Sequence, residues 1–102
     1  MAGTNKIEVY EGNTLSITCT IEGLANLDGY TGYFTVVDKD EVLLFEKTGS
    51  NDGLVITFFV PAADNEIAAG NYEYEVTIND STNYFTVTQD TYQIKKSVKY
   101  EP

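Results

Sequence analysis

The stretch AGNYEYEVTI at Ala69–Ile78 decides the class of fold expected for this chain. Tyrosine, valine and isoleucine recur at every second position, and glutamate or threonine stands between them. A period of two is typical of a β-strand that has one apolar face and one polar face. The residues before the strand, Ala62–Ala69, form the only stretch that could be helical, and they are too few for more than one turn closed by Gly70.

The same period of two recurs along most of the chain. Seven strands are predicted, separated by turn signals, and no amphipathic helix of ten residues is present to cross between parallel strands. The sequence therefore predicts an all-β fold, an antiparallel immunoglobulin-like β-sandwich of about seven strands with one short helical turn. The predicted strands lie at residues 6–10, 15–21, 30–37, 41–48, 54–60, 72–78 and 84–90, and residues 49–53 (GSNDG) are predicted to form a loop.

The shared phase of these strands predicts which side chains form the core. Residues at the apolar positions should face the opposite sheet and contact one another. They are Leu15, Ile17, Cys19, Phe34, Val36, Ile56, Phe58, Tyr72, Tyr74, Val76, Phe85 and Val87.

The length of the chain allows one hydrophobic core. With 102 residues and 11.3 kDa, the chain has the size of a single domain. We assign residues 1–90 to the sandwich and residues 91–102 to an extended C-terminal segment. In that segment Tyr92, Ile94, Val98 and Tyr100 keep the period of two. The segment is therefore expected to pair with an exposed strand edge of this body or of a neighbouring copy; the alternative is a linker to a following domain.

Composition and charge exclude several functions. The net charge is −10, all six basic residues are lysines, and histidine is absent. Residues 1–90 carry three lysines and 15 carboxylates, which gives −12, whereas residues 91–102 carry +2. Nucleic acid is an unfavourable partner for such a body, and no cofactor or catalytic histidine is expected. No apolar stretch approaches the length of a membrane span, so no membrane partner is expected either.

Cys19 is the only cysteine, so the fold has no disulfide and depends on packing. The strand phase directs its side chain inward, where a free thiol packs as a small apolar group. Residues 1–10 lack the apolar core of a signal peptide, and a reducing compartment is expected.

Two groups of carboxylates are candidates for a metal site or a catalytic site. Asp38, Asp40 and Glu41 could gather on Ca²⁺, but their spacing fits no EF-hand loop, and a charged hairpin tip is the simpler interpretation. Glu73 and Glu75 share one face of a strand, as a pair of glycosidase carboxylates could, but nothing around them indicates a cleft. We therefore expect no enzymatic activity.

The remaining aromatic and aliphatic residues indicate an interface. Tyrosine is enriched in protein–protein contacts, and aromatic faces can also stack on sugars, which leaves carbohydrate binding as an alternative. The candidate interface residues are Tyr33, Phe59, Tyr84, Tyr92, Ile94, Val98 and Tyr100.

Two motifs resemble the immunoglobulin fold. The strand LSITC at Leu15–Cys19 is similar to the second strand of such domains, and AGNYEY at Ala69–Tyr74 is similar to their tyrosine corner, with Tyr72 as the corner residue. Tyr74 stands where the second cysteine of an antibody-type domain would be, and the core tryptophan is absent. The resemblance thus implies the sandwich without its disulfide.

A longer ordered set of motifs covers residues 6–98. It comprises EGN at residues 11–13, LDGY at 27–30, DKD at 38–40, ITFFVPAAD at 56–64, AGNYEYEV at 69–76 and YFTVTQD at 84–90. This set resembles the Ig-like domains of tailed-phage structural proteins, in particular the N-terminal domain of baseplate upper proteins.

That resemblance implies a non-enzymatic building block of a phage tail or baseplate. It would be located in the virion, and its partners would be other virion proteins or copies of itself, with a homo-oligomer possible in the full-length protein. The alternative is a glycan- or protein-binding Ig-like module of a bacterial surface adhesin.

The acidic body predicts that the protein does not bind nucleic acid. Phosphates would be repelled over most of the surface, and no arginine is available to contact them. Titration with duplex and single-stranded oligonucleotides at physiological salt should show no binding, and micromolar binding that weakens with added salt would contradict this prediction.

Overall fold

A computed structural model describes residues 6–96, and it forms a β-sandwich of two sheets. This range contains eight strands and one 3₁₀ turn. The strands are β1 (Ile7–Tyr10), β2 (Leu15–Thr20), β3 (Thr31–Val37), β4 (Leu43–Thr48), β5 (Ser50–Asp52), β6 (Val55–Val60), β7 (Gly70–Asn79) and β8 (Tyr84–Lys95); the 3₁₀ turn is Ala62–Asn65.

The two sheets differ in size. The larger has the strand order β1-β8-β7-β3-β4, and the smaller has the order β2-β6-β5. The prediction of an all-β sandwich with one helical turn is confirmed, but the pairing is not wholly antiparallel. β1 runs parallel to β8, with Ile7 opposite Tyr92 and Val9 opposite Ile94. Parallel pairing is possible here without a crossover helix, because the rest of the chain connects the two strands.

Alternation along the strands places one side-chain row of each sheet in the core. On β3, Phe34 and Val36 are fully buried, and on β6, Ile56, Phe58 and Val60 are fully buried. The ring of Phe34 is the centre of this layer. Its centroid lies 5.3 Å from that of Tyr74, 5.8 Å from those of Phe58 and Tyr92, and 6.3 Å from that of Phe45.

The segment predicted as a loop at residues 49–53 is partly a strand. Ser50–Asp52 forms β5, which pairs with β6, so the chain passes from the larger sheet to the smaller one at Gly49. A Cβ atom at Gly49 would overlap the side chain of Ile56, and one at Gly32 would lie 2.9 Å from Ile56 Cδ1. Glycine is therefore required at both positions, where the backbone lies directly against the side chains of β6.

The predicted core is confirmed at its centre and is wrong at one end. Phe34, Val36, Ile56, Phe58, Tyr74 and Val76 are buried, and Leu15, Ile17, Cys19, Tyr72 and Val87 pack partly buried against them. Phe85 was predicted to be buried, but 42% of its surface is exposed. It pairs with Ile78 at the start of β8 and lines an open groove together with Ile21 and Leu24, which lie beyond the end of β2.

Tyr92 and Ile94 are not surface residues, contrary to their assignment to an interface. Their exposed fractions are 0% and 1%, because β8 continues from Tyr84 to Lys95 without a break at residue 90 and lies between β1 and β7. Residues 91–95 therefore pair with strands of this body, which is one of the predicted arrangements, but they do so inside the larger sheet and not at its edge. Val98 and Tyr100 lie outside the described residues.

A small polar network connects the 3₁₀ turn to the β1–β2 connection and to β8. Asn65 is fully buried, and its Oδ1 accepts a hydrogen bond of 2.5 Å from the hydroxyl of Tyr92. Its Nδ2 donates to the carbonyl of Asn13 at 2.6 Å. Each side-chain group of this buried amide therefore has a partner, as burial requires.

Two neighbouring phenylalanines test the strand phase. Phe58→Ala should lower the free energy of unfolding by about 3–5 kcal/mol, because it leaves a cavity beside Phe34. Phe59→Ala removes a side chain that is 55% exposed and should cost less than about 1 kcal/mol. Urea unfolding followed by circular dichroism gives both values; equal losses would show that the phase of β6 is wrong.

Candidate functional site

The predicted interface residues that remain on the surface lie on two opposite faces. Tyr33 and Tyr84 lie on the outer face of the larger sheet, where Tyr33 is opposite Thr77 and Tyr84 is opposite Asn79. Phe59 lies on the outer face of the smaller sheet, opposite Ser16. The structure therefore does not bring the predicted residues together in one interface.

A groove runs along one side of the sandwich, between β2 of the smaller sheet and β8 of the larger one. Its first part has a volume of about 460 Å³, and its apolar lining is Ile7, Ile17, Cys19, Tyr74 and Val87. We call the whole depression the side groove.

The second part of the side groove continues toward the end of the sandwich. Its volume is about 550 Å³, and Thr20 and Val87 line both parts, which makes them continuous. Its apolar lining is Ile21, Leu24, Ile78, Phe85 and Val87. The ring of Phe85 packs against that of Tyr30, with 6.3 Å between centroids, so its position is held although much of it is exposed.

Strand β2 forms one wall of the side groove, and it is an edge strand. Within residues 6–96, β2 pairs only with β6. The consequence is visible in the inward row of β2: Ile17 and Cys19 are only partly buried, whereas Ile56 and Phe58, directly opposite them on β6, are fully buried. The core thus encloses the inward side chains of β6 completely, whereas those of β2 remain partly open to solvent.

Cys19 lies in the wall of the side groove rather than in the centre of the core. Its thiol is half-buried, and this burial raises its pKa above the usual range for cysteine. A raised pKa keeps the thiol protonated at neutral pH, which is the opposite of what a nucleophilic cysteine requires.

Asp38, one of the three carboxylates of the candidate Ca²⁺ site, has structural partners. Asp38 Oδ1 accepts hydrogen bonds from the backbone amides of Asp40, at 2.8 Å, and Val42, at 3.0 Å. Asp38 therefore caps the hairpin turn between β3 and β4, where Glu41 adopts a positive φ of 64°. No cluster of three or more potential metal-ligating side chains occurs in the described part of the chain.

A charged cluster lies on the outer face where β1 meets β8. Lys95 Nζ lies 2.9 Å from Glu8 Oε1 and 5.5 Å from the ring centroid of Tyr10. The hydrogen bond from Lys95 lowers the pKa of the Glu8 carboxyl. The cluster is exposed to solvent, so it stabilises the β1–β8 pairing only weakly.

None of the helical structure in residues 6–96 has the length and hydrophobicity that a membrane span requires.

Comparison with known proteins supports the fold alone. No protein-family model and no curated protein sequence matches the chain. Among solved structures, the chain is similar to CopC from Methylosinus trichosporium OB3b, with a TM-score of 0.61 and 14% identity over 94% of this chain and 89% of that one.

A second similar structure is a putative glycoside hydrolase from Bacteroides vulgatus ATCC 8482. The TM-score is 0.56 and the identity is 14%. The match covers 91% of this chain but only 17% of the hydrolase. At such identities both similarities establish a β-sandwich and no shared activity.

Sequence reasoning missed the side groove because its lining comes from strands that are distant in the chain. Leu24, Ile78 and Phe85 belong to different segments, and only the strand order brings them together. Phe85, an apolar residue close to a turn, is the only local indication of this groove, and its phase in the strand predicts a core position instead.

Cys19 provides a test of the side groove. Its thiol should react more slowly with a thiol reagent in the native protein than in the unfolded chain, because it is half-buried and burial raises its pKa. The pH midpoint of the labelling rate should accordingly be higher in the native protein.

The control is a Thr18→Cys substitution in a Cys19→Ser background, since Thr18 is exposed on the outer face of the same strand. This thiol should react at nearly the unfolded rate. Equal native rates for the two positions would contradict the placement of Cys19.

Proposed function

We propose that this chain is an Ig-like, non-enzymatic interaction module that assembles with other proteins in a phage tail or baseplate. The proposal combines the sequence resemblance to phage Ig-like domains with the open side of the sandwich. An alternative role in a bacterial surface adhesin is an outcome that the experiment below distinguishes.

The strand order supports the Ig-like part of the proposal. In immunoglobulin domains, one sheet contains the first, second, fifth and fourth strands, and the other contains the third, sixth and seventh. Here β2, β6 and β5 form one sheet, and β3, β7 and β8 are neighbours in the other. This arrangement follows the same scheme with two differences: β4 is an added strand at the edge of the larger sheet, and β1 pairs with β8 instead of lying beside β2.

The corner before β7 supports the same conclusion. The hydroxyl of Tyr72 donates a hydrogen bond of 2.5 Å to the backbone carbonyl of Ala68, four residues upstream. A tyrosine near the start of the sixth strand that bonds back to the preceding backbone is a hallmark of immunoglobulin-like domains. The bond also explains why Tyr72 is only partly buried, because its hydroxyl faces the corner rather than the core.

The open side carries the functional part of the proposal. Phe85 is 42% exposed, and it adjoins the partly buried Leu24 and Val87 in the side groove. An unpaired strand edge beside partly buried apolar side chains and an exposed aromatic ring can serve as a contact site, because such edges pair with other chains and aromatic residues are enriched in interfaces. An assembly module needs this kind of surface, whereas catalysis would need groups with suitably shifted pKa values in a cleft.

Fractionation of the strain that encodes the chain tests the proposed location. After prophage induction, particles are purified by density centrifugation and examined with an antibody raised against residues 6–96. The protein should be found in the particles in a fixed ratio to a tail protein, and immunogold should label the tail or the baseplate. Recovery in the cell-envelope fraction, with none in the particles, would contradict the phage assignment and support the adhesin alternative.

A further inference from the structure

We propose that the side groove binds an extended, lysine-bearing strand of a partner protein, which adds to the free edge of β2. This inference rests on the proposed role as an interaction module, but it is independent of whether the module is located in a virion. Strand addition to an exposed sheet edge is a general mode of peptide recognition, in which backbone hydrogen bonds supply affinity and pockets for alternate side chains supply specificity.

The backbone of β2 determines the kind of partner. Ile21 donates its amide to the carbonyl of Leu54, on the side of β6, at 2.8 Å. Because N–H directions alternate along a strand, the amides of Ile17 and Cys19 also point toward β6, and those of Ser16, Thr18 and Thr20 point toward the free edge. Three residues therefore present backbone donors and acceptors at the spacing that only another extended strand matches.

The apolar lining determines the pattern of the partner's side chains. Every second side chain of a strand added beside β2 would point into the side groove, next to Ile17, Cys19 and Val87. These residues are only partly buried, so apolar side chains at alternate positions would complete their burial. β2 has six residues, so the added strand would be about 20 Å long and would have three inward positions.

Charge selects a partner other than a second copy of this chain. Residues 6–96 contain five lysines and 15 carboxylates, which gives −10. Two copies paired at their β2 edges would bring two such bodies together against their mutual repulsion. The net charge of the body attracts a strand that carries lysines instead, and outward positions keep those lysines out of the first part of the side groove, where Lys6 is the one charged residue among the described lining residues.

A heptapeptide of alternating lysine and valine, acetylated and amidated at its ends, is the probe for this site. Titration into ¹⁵N-labelled protein should shift the amide resonances of Ser16, Thr18 and Thr20 in a saturable manner. The resonances of β4, on the other side of the sandwich, should not move.

N-methylated peptides separate backbone pairing from charge. One peptide carries N-methyl groups on its lysines and the other on its valines, and both keep the charge of the probe. Only alternate amides of an added strand face β2, so one of the two should bind at least about tenfold more weakly because it loses several hydrogen bonds. The other should bind as the unmodified peptide does.

Variants at Thr18 provide the matching test on the protein. Thr18→Pro removes an amide that faces the free edge, a position where proline is tolerated. It should abolish the shifts of Ser16 and Thr20, whereas Thr18→Ala keeps the amide, trims only a side chain that lines the side groove, and should weaken binding far less. Thermal melting establishes whether Thr18→Pro is folded; if it is not, the two N-methylated peptides decide the question alone.

Three results would overturn the inference. Equal binding of the two N-methylated peptides would show attraction by charge alone. Changes in amide resonances that spread over the acidic surface and do not saturate at β2 would also show attraction by charge alone. Concentration-dependent shifts at β2 in the protein without peptide would show that a second copy occupies the edge. None of these results depends on the virion experiment, so failure of one proposal is distinguishable from failure of the other.

Discussion

A single layer of aromatic rings holds the two sheets together, and the rest of the structure depends on it. Phe34 and Tyr74 on the larger sheet pack with Phe58 on the smaller one, with centroids 5.3–5.8 Å from that of Phe34. With Cys19 as the only cysteine, no disulfide can take over this role. Aromatic pairs at such distances stabilise beyond the area that they bury, which suits a sandwich without a covalent connection between its sheets.

The aromatic layer also explains where the sandwich is open. It is centred on β3, β6 and β7, so packing is complete in the middle and decreases toward β2. The inward side chains of β2 face the core but are not enclosed by it. The proposed interaction site lies there, because no described strand covers the outer edge of β2.

The period of two predicted the class of fold and the centre of the core, because each strand that crosses the aromatic layer has one wholly apolar row. It could not predict which strands are neighbours within a sheet. Tyr92 and Ile94 alternate as they would on an edge strand, but parallel pairing with β1 makes β8 an interior strand. Phe85 has the inward phase but lines an open groove beside Ile21 and Leu24, which follow β2, and no local pattern records this. Of the candidate site, the sequence indicated apolar surface in general and missed the side groove, because strand order alone assembles it.

The central claim is that the core is closed at β6 and open beyond β2, and native-state hydrogen exchange measures this most directly. The account predicts alternation along β2: the amides of Ile17 and Cys19 are protected by their bonds to β6, and those of Ser16, Thr18 and Thr20 exchange at rates near those of an unfolded chain. Amides of β6 should exchange only through global unfolding. Uniform protection of all five β2 amides would show that the free edge is covered and would contradict the account.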